Sequence, residues 1–370
     1  MTETKECAIV GGGLAGLVGY ATLRHGGFTP AEIDVFGTDI DPAAQWRVRA
    51  AAIRQRRMRS ESDGHCAPRS FPGLAVRASL RRKSPLPLVE SWLDRYHPTV
   101  GEFLDHLEEV RAESGWDESF RQSRVKRIGA VEGGGFELDG FGRYRHVLVA
   151  SGHPGLALPA EVEGDPRVVH AYEPHEYAER VEIVGAGMAA ATEWLNALAA
   201  GADVVSVRRR EPERRPLNLP RQLFTRRGLA RFHATQPDER RALLCRWSGP
   251  SYPAGRAWDE PVERARRSGR FRVAPELNGA DQVICATGFA RGYTHDPLLA
   301  DLVAEHGLPT AGTWIVLEPD SVVGALTDAD RTLAVAGVAG QWAFPAADTL
   351  AGAKYAARGF LRRVKACRLR

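Results

Sequence analysis

Residues 7–23 read CAIVGGGLAGLVGYATL. Four apolar residues run straight into Gly11-Gly12-Gly13-Leu14-Ala15-Gly16. Beyond the turn, Leu14, Leu17, Val18, Ala21 and Leu23 recur at the spacing of a helix face, and residues 32–36 alternate as a second strand. Strand, glycine turn, helix and strand thus form one compact unit. The G-x-G-x-x-G spacing has a mechanical reason. Gly11 permits the tight turn, Gly13 lets the backbone approach a pyrophosphate, and Gly16 lets helix and strand pack closely, with the helix N-terminus aimed at the phosphates. An acid at the end of the second strand would bind a ribose, but that strand ends Val35-Phe36-Gly37. Asp39 is the preferred ribose partner, and Asp41 follows it.

A second unit of the same kind begins 174 residues further on. Val181-Glu182-Ile183-Val184 enters Gly185-Ala186-Gly187-Met188-Ala189-Ala190, a G-x-G-x-x-A variant. Its helix covers about 188–200 and its second strand 203–207. Where the first unit has acids, this one has Arg208-Arg209-Arg210. A guanidinium there can grip a 2′-phosphate in two places, whereas an acid would repel it, so Arg208 and Arg209 point to NADP over NAD. A chain with two dinucleotide cradles moves a hydride between them, and the natural pair is FAD in the first and NADPH in the second. The expected fold class is α/β: two Rossmann-like, doubly wound dinucleotide-binding domains with parallel sheets, the NADP domain inserted in the FAD domain. The first FAD segment covers 1–160, the NADP domain 161–285 and the second FAD segment 286–370.

The remaining chain fits that plan. Residues 146–150 (HVLVA) form a buried-type strand ending in Ser151-Gly152-His153-Pro154, and 283–286 form another ending in Thr287-Gly288-Phe289. A late strand at 333–336 precedes a glycine turn and a helix over about 348–365, and an amphipathic helix begins at Thr99. Residues 120–149 hold strand-like pieces broken by Gly133-Gly134-Gly135. Residues 40–90 and 208–275 are rich in arginine and turn signals and give no clear pattern.

Composition narrows the function. The 370 residues are 44% apolar and 26% charged, a globular balance, and suggest two or three domains. A net charge of only +4 argues against a nucleic-acid binder, although 45 arginines stand against 5 lysines. With arginine so abundant, Arg69 and Arg77 are poor choices as contacts for an anionic substrate. Cysteines occur at 7, 66, 245, 285 and 367, with no CxxC, which speaks against a dithiol centre, a structural zinc or any other metal. The odd, scattered count suits a cytoplasmic protein. No apolar run reaches the ~18 residues of a membrane span, and the glycines at 11–13 and 16 make the N-terminal stretch a folded turn rather than a signal peptide.

Taken together these motifs resemble the two-dinucleotide-binding-domain flavoproteins, and within them the class B flavin monooxygenases, which include flavin-containing monooxygenases, Baeyer–Villiger enzymes and N-hydroxylases of ornithine and lysine. Residues 11–16 match the FAD turn, and Trp46 resembles a tryptophan that in the family follows a glycine pair, absent here. Residues 99–107 resemble the helix after the first FAD contacts, 147–154 (VLVASGHP) the ATGH strand end with Ser151 for threonine, and His170-Ala171-Tyr172 the HSxxY segment. Ala286-Thr287-Gly288-Phe289 matches the ATG-aromatic signature. The C-terminal Gly-Asp pair of disulfide-reductase relatives is missing. In its place Gly337, Gly340 and Gln341 are expected to approach the flavin ring and ribityl chain.

The resemblance implies an FAD- and NADPH-dependent monooxygenase. NADPH would reduce the flavin, and O2 would then form a C4a-hydroperoxide that hydroxylates N or S of a small metabolite. Gln55, Ser60 and His65 lie where relatives line the cleft and are the candidate catalytic donors. Trp342 and Phe344 would wall the substrate cavity. The alternative is an NADPH-dependent flavoprotein reductase serving a quinone or protein acceptor, and a non-enzymatic redox sensor is a third reading. The partners implied are a small-molecule substrate and O2, with neither nucleic acid nor membrane, and with homo-oligomerisation left open.

Overall fold

The computed structural model describes residues 4–61, 64–69, 72–93, 95–215, 219–247 and 249–369. From the N-terminus, β1 (Lys5–Val10), α1 (Leu14–His25) and β2 (Ile33–Gly37) are followed by α2 (Ala44–Ala52), α3 (Leu74–Arg82), α4 (Leu86–Trp92), α5 (Val100–Ser114) and the single turn α6 (Trp116–Ser119). Four strands come next: β3 (Phe120–Gln122), β4 (Ile128–Ala130), β5 (Phe136–Leu138) and β6 (Gly142–Val149). The second unit holds β7 (Val168–His170), β8 (Arg180–Val184), α7 (Met188–Ala199) and β9 (Asp203–Val207). An excursion follows through β10 (Glu213–Arg214), α8 (Arg226–His233), α9 (Pro237–Trp247), β11 (Ser251–Tyr252) and α10 (Arg256–Arg267), before β12 (Phe271–Ala274) and β13 (Gln282–Cys285). The chain ends with α11 (Pro297–His306), β14 (Thr310–Ala311), β15 (Trp314–Ile315), β16 (Thr332–Val335) and α12 (Leu350–Arg368).

Among the described residues the first sheet has the order β3-β2-β1-β6-β5-β4, with β16 alongside the C-terminal half of β6. Its centre is parallel. Its far edge is not: β4, β5 and β6 form an antiparallel meander. This departs from an all-parallel expectation, and the reason is local. Glycines 133–135, 140 and 142 all take positive φ and turn the chain back within a few residues, far too few for a parallel crossover. The second sheet, β12-β9-β8-β13-β7, is parallel throughout.

The unbroken apolar run of β1 follows from burial on both faces, as parallel strands require. Cys7 and Ile9 point to a core built with α1, α5 and α12, whereas Ala8 and Val10 point to the opposite core with Val147, Val149, Leu333 and Val335. That second core also takes Leu219, Leu223, Phe232 and Leu244. The arginine-rich excursion that gave no sequence pattern therefore leaves its own sheet and packs against the first. In the second unit Val181, Ile183, Val204 and Ile284 meet Ala190, Trp194 and Ala197 of α7. The other face is covered by connecting segments near Val162 and Leu277.

Helices α3 and α4 escaped the sequence reading because they lack a clean apolar stripe. Leu80 is 74% exposed and Trp92 77% exposed. Among the described residues no helix is long and apolar enough to cross a membrane.

Candidate functional site

The two glycine turns are built alike at the first two glycines of the motif. Gly11 has φ +126, and a Cβ there would sit 2.1 Å from the carbonyl oxygen of Ala150, which follows β6. Gly185 has φ +125, and its Cβ would sit 2.6 Å from the carbonyl oxygen of Ala286, which follows β13. Each first glycine is thus forced twice, by a backbone angle that side chains rarely adopt and by the end of the neighbouring strand. Gly16 is needed for another reason: its Cβ would lie 2.0 Å from the Gly11 carbonyl oxygen. Ala190, its counterpart, is fully buried.

The middle glycines behave differently. Gly13 and Gly187 are the N-caps of α1 and α7, both with φ −86, which any residue can adopt. A Cβ at either would meet no described atom within 4 Å. Neither cap makes a side-chain hydrogen bond, and neither helix has an acid in its first turn. Each helix therefore opens with amide donors uncapped by side chains and facing open space. Uncapped N–H groups and a positive dipole end are what a pyrophosphate requires. The residues present fit two dinucleotide phosphates.

At the first cradle, β2 ends at Gly37, where a Cβ would lie 2.7 Å from the Gly12 Cα and so only glycine fits. Asp39 lies just beyond, exposed, its Oδ1 accepting the Asp41 amide at 2.9 Å. Trp46 in α2 is half-buried and packs edge-on to Phe103, with ring centres 4.7 Å apart. Gly337, with φ +77, faces the backbone of Gly152, and a Cβ at Gly340 would come within 2.9 Å of the Val335 carbonyl oxygen. Gln341 beside it is buried. Trp342 and Phe344 lie in the core around the first sheet, and Phe344 stacks on Tyr355 at 4.7 Å.

The candidate donors sit at different depths. Gln55 is half-buried, its amide nitrogen donating to the Arg57 carbonyl at 3.0 Å. Ser60 is buried, and His65 is 1% exposed, its ring 4.5 Å from that of His106. Burial, then His106 and Lys354, push the His65 imidazole down to about 3, so it is neutral near pH 7. His106 is pushed down to about 4, first by burial and then by Arg77, and its Nε2 accepts the Cys66 amide at 3.0 Å. Lys354 of α12 donates to the His65 carbonyl at 2.7 Å, tying the 64–69 loop to the helix that begins beside the Gly337 turn.

At the second cradle Arg208 and Arg209 differ sharply. The Arg208 side chain is 4% exposed, lies 5.2 Å over the Trp194 ring and donates to Glu211 at 2.8 Å, while its Nε is buried with no partner. Arg209 is 89% exposed, with Glu161 3.8 Å away. Trp194 meets Tyr252 edge-on, and Arg214 covers Tyr252 at 4.2 Å, a third guanidinium that the sequence did not single out.

Two connections join the units and run antiparallel: Ala157 donates to Gly288 and Ala290 to Gly155, both at 3.0 Å. Over this ribbon stack His153 and Phe289 at 4.1 Å, Tyr172 and Phe289 at 4.8 Å, and the Arg49 guanidinium 4.6 Å from the Phe289 centre. Burial, then Arg49 and Arg291, push His153 down to about 4. The strand-end motifs that resemble ATG signatures were visible in sequence, but this stack was not, because its members come from four separate segments.

On the buried face of α7, Glu193 is fully buried and bonded to His175 at 3.1 Å and to Tyr177 at 2.8 Å. Burial opposes charge on His175, but Glu193 and the Glu173 carbonyl outweigh it, so its pKa is raised. The stability this pair contributes is fully present below the ordinary histidine range and is lost as pH rises through the raised value. A His175→Ala variant should lose about 1–3 kcal/mol in mildly acidic solution. The deficit should shrink in alkaline solution, as pH-dependent thermal melting will show; a pH-independent deficit would contradict the pairing. Among the described residues no cluster of three or more His, Cys, Asp or Glu side chains is placed to hold a metal ion.

No protein-family model and no curated protein matches the sequence. Solved structures match over almost the whole chain. The ornithine N-hydroxylase of Kutzneria sp. 744, in a complex with reduced FAD, NADP+ and L-ornithine, is 15% identical, covers 98% of this chain and 99% of its own, and has a TM-score of 0.73. The FAD-bound cadaverine monooxygenase of Erwinia amylovora is 12% identical over 98% and 95%, with a TM-score of 0.74. The bacillithiol disulfide reductase of Bacillus cereus is 13% identical over 99% and 100%, at 0.60. From the N-terminal glycine turn to the last helix, the chain has the α/β fold that this ornithine N-hydroxylase, this cadaverine monooxygenase and this reductase share.

Proposed function

We propose that the chain is an FAD- and NADPH-dependent monooxygenase that N-hydroxylates a small amine-bearing metabolite. The observation that carries this reading is the matched pair of open, uncapped helix N-termini at Gly13 and Gly187, joined by a two-stranded ribbon. The N-hydroxylase and monooxygenase activities of similarly folded proteins supply the choice of reaction. Bound FAD, once reduced, supplies the chemistry that activates O2.

The chain's own residues then divide the work. The first cradle (Gly11, Gly13, Gly16) holds the FAD pyrophosphate, and Asp39 reaches the ribose. Trp46, Gly337, Gly340 and Gln341 border the remainder of the cofactor. The second cradle (Gly185, Gly187, Ala190) holds the NADP pyrophosphate, with Arg208 and Arg209 on the 2′-phosphate. Gln55 is the donor that can turn toward substrate, since its side chain is half-buried and, among the described residues, bonded within its own loop. Ser60 and the neutral His65 lie deeper and act as positioning residues for that loop.

Replacing Arg208 and Arg209 together with Ala should raise the NADPH KM roughly 10- to 100-fold, the worth of two charge-assisted contacts, and leave NADH almost untouched. Arg208→Ala alone should also lower thermal stability, because it strips the cover from Trp194. An unchanged ratio of NADPH to NADH reduction rates would refute the clamp. The reaction itself is tested by supplying NADPH, O2 and a panel of diamines and basic amino acids, and assaying hydroxylamine product.

The likeness to a disulfide reductase favours a second reading, NADPH-driven reduction without oxygenation. Against a dithiol mechanism, Cys7, Cys66 and Cys285 are buried, with thiols pushed up chiefly by desolvation, the latter two to about 12 and about 11. NADPH oxidation that releases only H2O2 with every amine tested, but reduces an added quinone or disulfide, would favour the reductase.

A further inference from the structure

We propose a second, separate binding site: a pocket for a multiply charged, phosphate-type oxyanion at the far end of α1 and α12. A depression of about 310 Å³ opens there, walled by His25, Arg69, Arg358, Arg362 and Lys365. Among the described residues no carboxylate lines it. Elsewhere many arginines are paired with a carboxylate, as Arg111 is with Asp117 and Arg127 with Glu305. On the other side of Arg362 a second depression, of about 400 Å³, also has arginine walls, but there Arg363 is paired with Asp320 at 2.6 Å. Arg69, Arg358, Arg362 and Lys365 make no ion pair among the described residues.

Helix dipoles account for only part of this. His25 lies in the last turn of α1 and Lys365 in that of α12, where cations are favourable. Arg69 is in a loop, and Arg358 and Arg362 stand along the α12 flank. Gathering four permanent cations around one concavity costs self-repulsion unless an anion is bound. The site is also braced. The Arg358 guanidinium donates to the Pro68 carbonyl, and Lys354 donates to the His65 carbonyl, so the Arg69 loop is pinned to α12 at two points. Gly26 lets the end of α1 close on Leu361, since a Cβ there would lie 2.5 Å from that side chain. Among the described residues Arg362 and Arg69 have no carboxylate partner and can grip oxygens bidentately, a geometry that favours phosphate.

The pocket is distinct from the nucleotide cradles. Helix α1 is about 18 Å long, and Gly13 stands at its opposite end. Helix α1 begins at the first cradle and ends at the pocket.

Calorimetric titration of the full chain with inorganic pyrophosphate tests the site. FAD and NADP+ are kept saturating so that both glycine turns are filled, and ionic strength is held constant with chloride. One site per chain is expected. A double variant, R362Q with K365Q, alters two exposed side chains and should bind pyrophosphate at least ~10-fold more weakly. Without pyrophosphate the double variant should melt no lower than wild type, because like-charge repulsion is relieved, and it should lose the pyrophosphate-induced rise in Tm. Absence of saturable binding in the wild type, or equal affinity in the R362Q–K365Q variant, overturns the proposal.

Discussion

A Gly13→Ala variant is expected to fold normally and to lose most of its affinity for FAD. The added methyl meets no described atom within 4 Å, and φ −86 suits alanine, so the protein itself has room for it. The only cost to the apoprotein is a poorer helix cap, about 1 kcal/mol or less. The methyl does, however, stand in front of the free amides of α1, in the space a pyrophosphate must enter. Crowding or losing one or two charge-assisted hydrogen bonds there should weaken FAD at least ~10-fold. Reconstitution of the apoprotein with FAD, followed by flavin fluorescence quenching, measures this directly. Gly11→Ala makes the necessary contrast. Its Cβ would strike the Ala150 carbonyl, and backbone strain alone is about 1–3 kcal/mol, so both stability and flavin should be lost. Full FAD affinity in Gly13→Ala would show that the open space in front of α1 is not a phosphate site.

The companion variant, Gly187→Ala, should keep its flavin and lose its reductant. The same argument applies to α7: an ordinary φ, no described atom within 4 Å, and no side-chain cap. Here the affected ligand is the nicotinamide carrier. Flavin content and Tm should match wild type, while the NADPH concentration needed for half-maximal anaerobic reduction should rise at least ~10-fold. Dithionite, which needs no cradle, should still reduce the flavin fully. Loss of flavin from this variant, or unimpaired reduction by NADPH, would break the assignment of one nucleotide to each turn.

The two turns could be read from sequence because their first glycines answer to local backbone geometry. Gly11 and Gly185 are each set by a positive φ and one neighbouring carbonyl, and flanking apolar strands announce them. The edge meander could not be foreseen in the same way, although the glycines that turn it were in view. The aromatic stack of His153, Phe289 and Tyr172 was hidden, because nothing local to any of these residues marks its partners. Arg208 and Arg209 looked equivalent as neighbours in sequence. Only the fold lays the first on Trp194 and leaves the second in solvent. His65 read as one more polar loop residue, and its depth depends on His106 and Lys354, from helices 35 or more residues away. The excursion after β9 was opaque because its apolar residues serve the other unit's core.

Anaerobic titration of the purified, FAD-reconstituted protein with NADPH and, separately, NADH tests the central claim most directly. The account predicts one tightly held FAD per chain, bleached by a single equivalent of NADPH much faster than by NADH. A protein that remains colourless after reconstitution, or whose flavin neither nicotinamide reduces, would contradict it.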